Sequence, residues 1–129
     1  MAEGAIVYIA SPYAGDTEGN IKFAKAACRL AMEQGNTPVA AHLLYPQMLD
    51  DAVPEQRELG TRMGIRLLKA CSELWLCGSR ISSGMQKELE AAKQLGIPVR
   101  CVSGDMVAEF MEQDMGQQMQ SMGYIGVSP

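Results

Sequence analysis

Four short apolar runs punctuate the chain, and between them apolar residues recur at helical spacing. The runs are Ala5-Ile6-Val7-Tyr8-Ile9-Ala10, Thr37 to Ala41, Glu73-Leu74-Trp75-Leu76-Cys77 and Pro98-Val99-Arg100-Cys101-Val102. A strand whose apolar residues do not alternate with polar ones must be covered on both faces. The segments between read as helices. One runs to about Gln34 with Ile21, Ala24, Cys28 and Ala31 on its apolar face. A second runs from Glu55 to about Cys71 with Leu59, Met63, Leu67 and Ala70, and Gly60 and Gly64 on that face allow close approach of another element. A third runs from Gly84 to Leu95, and a last from Asp105 to about Gln120, followed by Tyr124-Ile125-Gly126-Val127. Gly35 and Gly96 stand where left-handed helix caps belong. Strands alternating with helices require right-handed crossovers and a parallel sheet with helices on both sides. The expectation is an α/β three-layer sandwich with four to five parallel strands. At 129 residues it forms one domain, residues 1–129.

In such a sheet with strand order 2-1-3-4, ligands bind beyond the C-terminal ends of the first and third strands, where the order reverses. Two loops leave those ends, Ser11-Pro12-Tyr13-Ala14-Gly15 and Gly78-Ser79-Arg80-Ile81-Ser82-Ser83-Gly84. Their small and hydroxyl residues let backbone N–H groups approach a ligand. The segment 42–54 carries Leu43, Leu44, Tyr45, Met48, Leu49 and Val53, too apolar for a loop in open solvent, so it packs over something.

The third helix carries a carboxylate out of place. At 100° per residue Met85, Leu89, Ala92 and Leu95 mark its apolar face, and Lys87, Glu90, Lys93 and Gln94 lie opposite or beside it. Glu88 projects between Ala92 and Leu95, inside the apolar stripe. Lost solvation raises the pKa of such a group, while the helix N-terminus lowers it, and opposed influences of this kind mark functional acids. The plainer reading is an acid that merely stabilises a helix start, with Ser83-Gly84-Met85-Gln86 as a capping box. The Ser82-Ser83-Gly84 turn is either that plain cap or a phosphate seat at a helix N-terminus.

Charge and composition exclude several classes. Eleven Lys+Arg against fifteen Asp+Glu give a net charge of −4, which disfavours nucleic acid and anionic membrane surfaces as partners. No apolar run approaches the ~20 residues that span a bilayer, and the first residues lack the pattern of a signal peptide, so the expectation is a soluble cytoplasmic protein. Cys28, Cys71, Cys77 and Cys101 form no CxxC pair, lie in apolar segments and read as buried small hydrophobes; with His42 as the single histidine, no zinc site is expected. Asp50 and Asp51 read as turn residues, since a metal needs more oxygen ligands than the sequence places nearby. Neither a P-loop nor a dinucleotide fingerprint occurs, and aromatic residues at 5% disfavour a flavin site, which usually needs aromatic flanks. No cofactor and no metal are expected. Trp75 reads as core. Tyr13 either stacks on a ligand or covers the core edge, and His42 is either a loop residue bonded to backbone or a ligand contact.

The chain resembles the nucleoside 2-deoxyribosyltransferase-like superfamily, and more closely a bacterial and phage branch of it. The resemblance spans residues 5 to 102. It rests on Val7-Tyr8-Ile9-Ala10-Ser11-Pro12-Tyr13, Pro38-Val39-Ala40-Ala41-His42, Leu74-Trp75-Leu76-Cys77-Gly78, Ser82-Ser83-Gly84-Met85-Gln86-Lys87-Glu88-Leu89 and Gly96-Ile97-Pro98-Val99. It implies a flavodoxin-like Rossmannoid fold and a single domain of that kind. It also implies that Glu88 is the glutamate that attacks the anomeric carbon of a (deoxy)ribosyl group, with water or another base resolving the glycosyl-enzyme. Tyr8 belongs with Glu88 in the catalytic set that the resemblance implies. Ser11, Pro12, Tyr13, Gly15 and His42 match positions around the sugar and base, and Ser82, with Ser83 and Gly84, the place where a 5′-phosphate is held. Members acting on free nucleosides usually carry an acid at the Ser82 position, so the implied ligand is a nucleoside 5′-monophosphate.

Two departures stand out: where active members carry aspartates, this chain has Gly64 and Ser72. Two readings therefore remain. One is an N-glycosidase or deoxyribosyltransferase; the other is a non-catalytic nucleotide-binding or sensing module on the same fold. A small redox or flavin-binding protein ranks last. Met111, Met115, Met119 and Met122, joined by Val107 and Phe110, form a stripe longer than one small domain needs, which points to a homo-oligomer. In the resembling family a neighbouring subunit completes the pocket.

Overall fold

The apolar runs form the strands, and all of them pair in parallel. The structure, a computed structural model, describes residues 4–12 and 15–113. Strands β1 (Ile6–Ala10), β2 (Thr37–Val39), β3 (Glu73–Cys77) and β4 (Val99–Val102) make one sheet in the order β2-β1-β3-β4. Helices α1 (Thr17–Glu33), α2 (Pro54–Lys69) and α3 (Ser83–Leu95) cross over between consecutive strands, and residues 104–113 are again helical. This is the expected flavodoxin-like α/β sandwich with a four-stranded parallel sheet, and its order reverses between β1 and β3. Residues 114–129, which include Met115, Met119, Met122 and the 124–127 segment, lie outside the described residues, as does Tyr13.

The central strands β1 and β3 are buried on both faces, as strands without polar alternation demand, while β2 and β4 are more open. On one face Tyr8, Ala10, Leu74 and Leu76 pack with Leu68, Met85 and Ala92. On the other, Val7, Ile9, Trp75 and Cys77 pack with Ala27, Ala31 and Val107, and Met111 joins at the margin. Trp75 is core, fully buried. Among the described residues no helix is long and apolar enough to cross a membrane.

Several boundaries and faces differ from the sequence reading, each for a local reason. Helix α1 starts at Thr17 rather than near Ile21, because the Asp16 side chain accepts from the Gly19 N–H and caps it there. Strand β2 stops at Val39, and a 3-10 turn begins at Ala41. On α2 the buried residues are Gly64 and Leu68, while Leu59 and Ala70 are exposed. The helix is rolled so that Gly64 and Leu68, with Leu67 beside them, face the sheet and Leu59 turns outward. Leu95 is likewise exposed, and so is Cys101 on the edge strand β4; of the cysteines only Cys71 and Cys77 are buried.

The cap of α3 lies one residue earlier than expected. Ser82, not Ser83, is the N-cap: its hydroxyl oxygen accepts from the Met85 N–H at 3.2 Å. The Met85 sulfur accepts in turn from the Ser82 N–H at 3.5 Å, in the place where a capping box has Glu or Gln. At the far end Gly96 closes the helix in the left-handed region at φ 72°. Replacing Ser82 by alanine is expected to cost about 1 kcal/mol of stability. A lower urea midpoint at unchanged slope checks this.

Candidate active site

The turns that follow β1 and β3 come together at the reversal of strand order, and a cavity of about 400 Å³ opens between them and α2. That is a usual volume for a small-molecule site. Parallel pairing sets Tyr8 beside Leu74, so both point towards α2 and α3. From there the fully buried Tyr8 reaches Glu88 on α3, and its hydroxyl donates to Glu88 Oε2. The odd carboxylate of α3 is therefore held by a phenol rising from the first strand.

The surroundings set the protonation of this pair. Burial raises the Glu88 carboxyl from its ordinary 4.5 to about 7, and the bond from Tyr8 pulls in the opposite direction. Burial also pushes the Tyr8 phenol far above its ordinary range, with the facing Glu88 carboxylate adding to it. Near neutral pH Tyr8 is thus a protonated donor, and Glu88 exists in both forms. A carboxylate gripped through Oε2 keeps Oε1 for other partners.

Ser11 and His42 form a second pair on the cavity wall. Ser11 is buried, and its hydroxyl lies 2.8 Å from His42 Nε2. Burial lowers the His42 pKa to about 4, so the imidazole is neutral at physiological pH. Ser82, Ser83 and Gly84 also line the cavity, at the N-terminus of α3. Two other predicted contacts are not brought there. Pro12 sits against the turn after β3, where a Cβ built on Gly78 would meet its ring at 3.6 Å, and Gly15 is exposed; neither lines the cavity.

The remaining wall was not named as a site in the sequence, although Gly64 and the packing of the 42–54 segment were. Tyr45, Leu49 and Asp51 come from the 42–54 segment, and Gln56, Arg57, Thr61 and Gly64 from α2, with Lys87 on α3. Asp51 is more than a turn residue. Arg57 Nε donates to its carbonyl oxygen at 3.0 Å and lies 3.8 Å from its carboxylate. Both side chains are well exposed, so the pair adds little stability, but it ties the apolar segment to α2. The spacing of Gln56, Gly60 and Gly64, four residues apart along one line, was the signal available for the α2 wall. Among the described residues no group of three or more His, Cys, Asp or Glu side chains is placed to hold a metal ion.

No curated protein sequence matches the chain. Among solved structures, the 2-deoxyribosyltransferase of the psychrotolerant bacterium Bacillus psychrosaccharolyticus, described as a biocatalyst for the synthesis of antiviral and antitumoral nucleosides, superposes with a TM-score of 0.64. The match covers 77% of this chain and 72% of that one at 22% sequence identity, so what the two share is the fold. The model of the family described as a domain of unknown function, DUF7768, matches residues 5–102, which is most of the chain and all four strands, and the protein belongs to that family.

Proposed function

We propose that this cavity binds a (deoxy)nucleoside 5′-monophosphate and that Glu88 cleaves its N-glycosidic bond. The observation that carries the reading is the Glu88 carboxyl in the cavity wall, held through one oxygen by the Tyr8 phenol. In this reading Oε1 attacks the anomeric carbon. The carbon–nitrogen bond breaks with its electron pair moving to the base, which leaves after taking up a proton. A glycosyl ester of Glu88 remains. Water, or the nitrogen of a second base, then attacks the same carbon and gives up a proton to solvent, the ester bond breaks with its electron pair moving to the carboxyl oxygen, and the carboxylate is regenerated. Charge builds on the sugar in an oxocarbenium-like transition state, and the facing carboxylate stabilises it.

The rest of the cavity suits such a ligand. The N-terminus of α3 offers backbone N–H groups to a phosphate. The Ser82 hydroxyl accepts from Met85, which leaves its own proton to donate. Lys87 and Arg57 add positive charge to the wall. Tyr45, Pro46 and Leu49 give an apolar flank for a flat base. The structural likeness to a 2-deoxyribosyltransferase supports the same substrate class.

A second reading, a nucleotide-binding module without turnover, is favoured by one observation: Gly64 stands where the resemblance places a supporting acid, and it lines the cavity. One experiment separates the two. The protein is incubated with deoxynucleosides, ribonucleosides and their 5′-monophosphates, with and without a second base, and products are resolved by chromatography. Release or exchange of base, lost in Glu88→Ala, is expected. Thermal stabilisation by a monophosphate with no product would establish the binding module instead, and no product and no stabilisation would refute both.

A further inference from the structure

We propose that Gly64 is a positioning residue: the side chain missing from α2 is the space in which the Tyr8 hydroxyl stands, and it keeps that hydroxyl on Glu88. The inference rests on the reading of Glu88 as the acting group, and it adds a residue that acts through Tyr8 and does not titrate.

Gly64 lies inside α2 and is buried. A Cβ built on it would lie 3.2 Å from the Tyr8 hydroxyl oxygen and 3.6 Å from Ala41 Cβ. Ordinary van der Waals contact begins at 3.4 Å, so even alanine crowds the phenol oxygen. The Tyr8 ring is anchored at its base, so a push on its oxygen moves the hydroxyl relative to Glu88. It is fully buried on a strand paired on both sides, to β2 and to β3. On the far side of the hydroxyl is its acceptor, Glu88.

The backbone does not ask for glycine here. Among the described residues the positive-φ glycines are Gly15, Gly35, Gly78 and Gly96, and Gly64 is not one of them. A helix interior favours alanine over glycine. The residue thus runs against local propensity, and the Tyr8 hydroxyl is the neighbour that a side chain here would press.

The test uses Gly64→Ala and Gly64→Val, each alone and combined with Tyr8→Phe, in protein carrying 13C-labelled glutamate. Titration of the Glu88 carboxyl is followed by NMR, with Glu88→Gln assigning the signal. Around the pair stand Tyr45 and Cys71, which face Tyr8, and His42, Asp51, Arg57 and Lys87 in the cavity wall; His42 titrates near 4, apart from the transition of interest. Displacing the phenol removes a hydrogen bond to the charged form, so the Glu88 midpoint should rise by about one to two pH units in Gly64→Val, and by less in Gly64→Ala. Tyr8→Phe alone should produce the same rise, and adding either Gly64 substitution to it should change nothing further, because the crowded oxygen is gone. Base release at neutral pH should fall about tenfold in Gly64→Val and recover at higher pH, as the ionised fraction does.

An unchanged Glu88 midpoint in a folded Gly64 variant overturns the proposal. So does a midpoint shift that is as large on the Tyr8→Phe background as in the parent, since Gly64 would then act through cavity shape. If Gly64→Val does not fold, Gly64→Ala carries the same comparison. The titration needs no turnover, so a parent protein that releases no base defeats the catalytic reading and leaves the role of Gly64 to be decided by the midpoints.

Discussion

Glu88→Gln is expected to remain folded and to lose base release from a nucleoside monophosphate by about three orders of magnitude or more, the scale on which removing a nucleophile acts. The substitution is close to isosteric. The amide oxygen of glutamine still accepts from the Tyr8 hydroxyl, so the phenol keeps its partner and the cavity its shape. What disappears is the anionic oxygen that forms the glycosyl ester. Single-turnover assays under saturating substrate read the chemical step directly, and unchanged ligand affinity would confirm that the loss is chemical. A Glu88→Gln protein that keeps a tenth of the parent's rate would end the case for this carboxylate as nucleophile. The parent's own pH profile carries a linked expectation. Only the ionised carboxylate attacks, so the rate should climb with pH through about 7, the value to which burial lifts this group.

The second large effect is on stability, and it has the opposite sign. Glu88 takes up its proton more readily in the folded chain, at about 7, than in the unfolded chain near the ordinary 4.5. Folding is therefore favoured by that proton below about pH 4.5, and the contribution is lost as pH rises to 7. By pH 8 the fold carries a desolvated anion at a cost of about 3 kcal/mol, from roughly 1.4 kcal/mol for each pH unit between the two values. Glutamine mimics the protonated acid at every pH. Glu88→Gln should thus match the parent near pH 4 and be more stable by about 3 kcal/mol at pH 8. Urea denaturation at both pH values decides it. Equal stability at pH 8 would mean that the carboxylate is solvated as an ordinary surface acid. A protein that stabilises when its reactive group is removed has kept that group at the expense of the fold.

The elements that the sequence made legible are those announced by side chains that water repels. Val7 to Ala10 and Leu74 to Cys77 could only be strands buried on both sides, and the alternation with helices then left a parallel sheet as the economical arrangement. Glu88 was legible for the converse reason: a charge inside an apolar stripe breaks the helical period. On α2 the close approach at Gly64 was legible, but the polar part of its wall, Gln56, Arg57 and Thr61, was not, because polar side chains beside the apolar stripe resemble an ordinary solvated flank. The cap at Ser82 was misplaced by one residue because a methionine sulfur supplies the return bond, and methionine carries no capping signal in sequence. Arg57 and Asp51 were missed because two exposed charges six residues apart resemble any solvated pair; only the fold turns them towards a cavity.

The serine that begins α3 serves two masters with different atoms. Its oxygen secures the first turn, and its proton is free to face the cavity. Aspartate secures a first turn as well as serine does, yet it would present a negative charge to the same space. On the proposed reading of a phosphorylated guest, an exchange at this one position would therefore leave the scaffold untroubled while turning the chamber towards bare ones. Selectivity here can drift without the architecture registering any change.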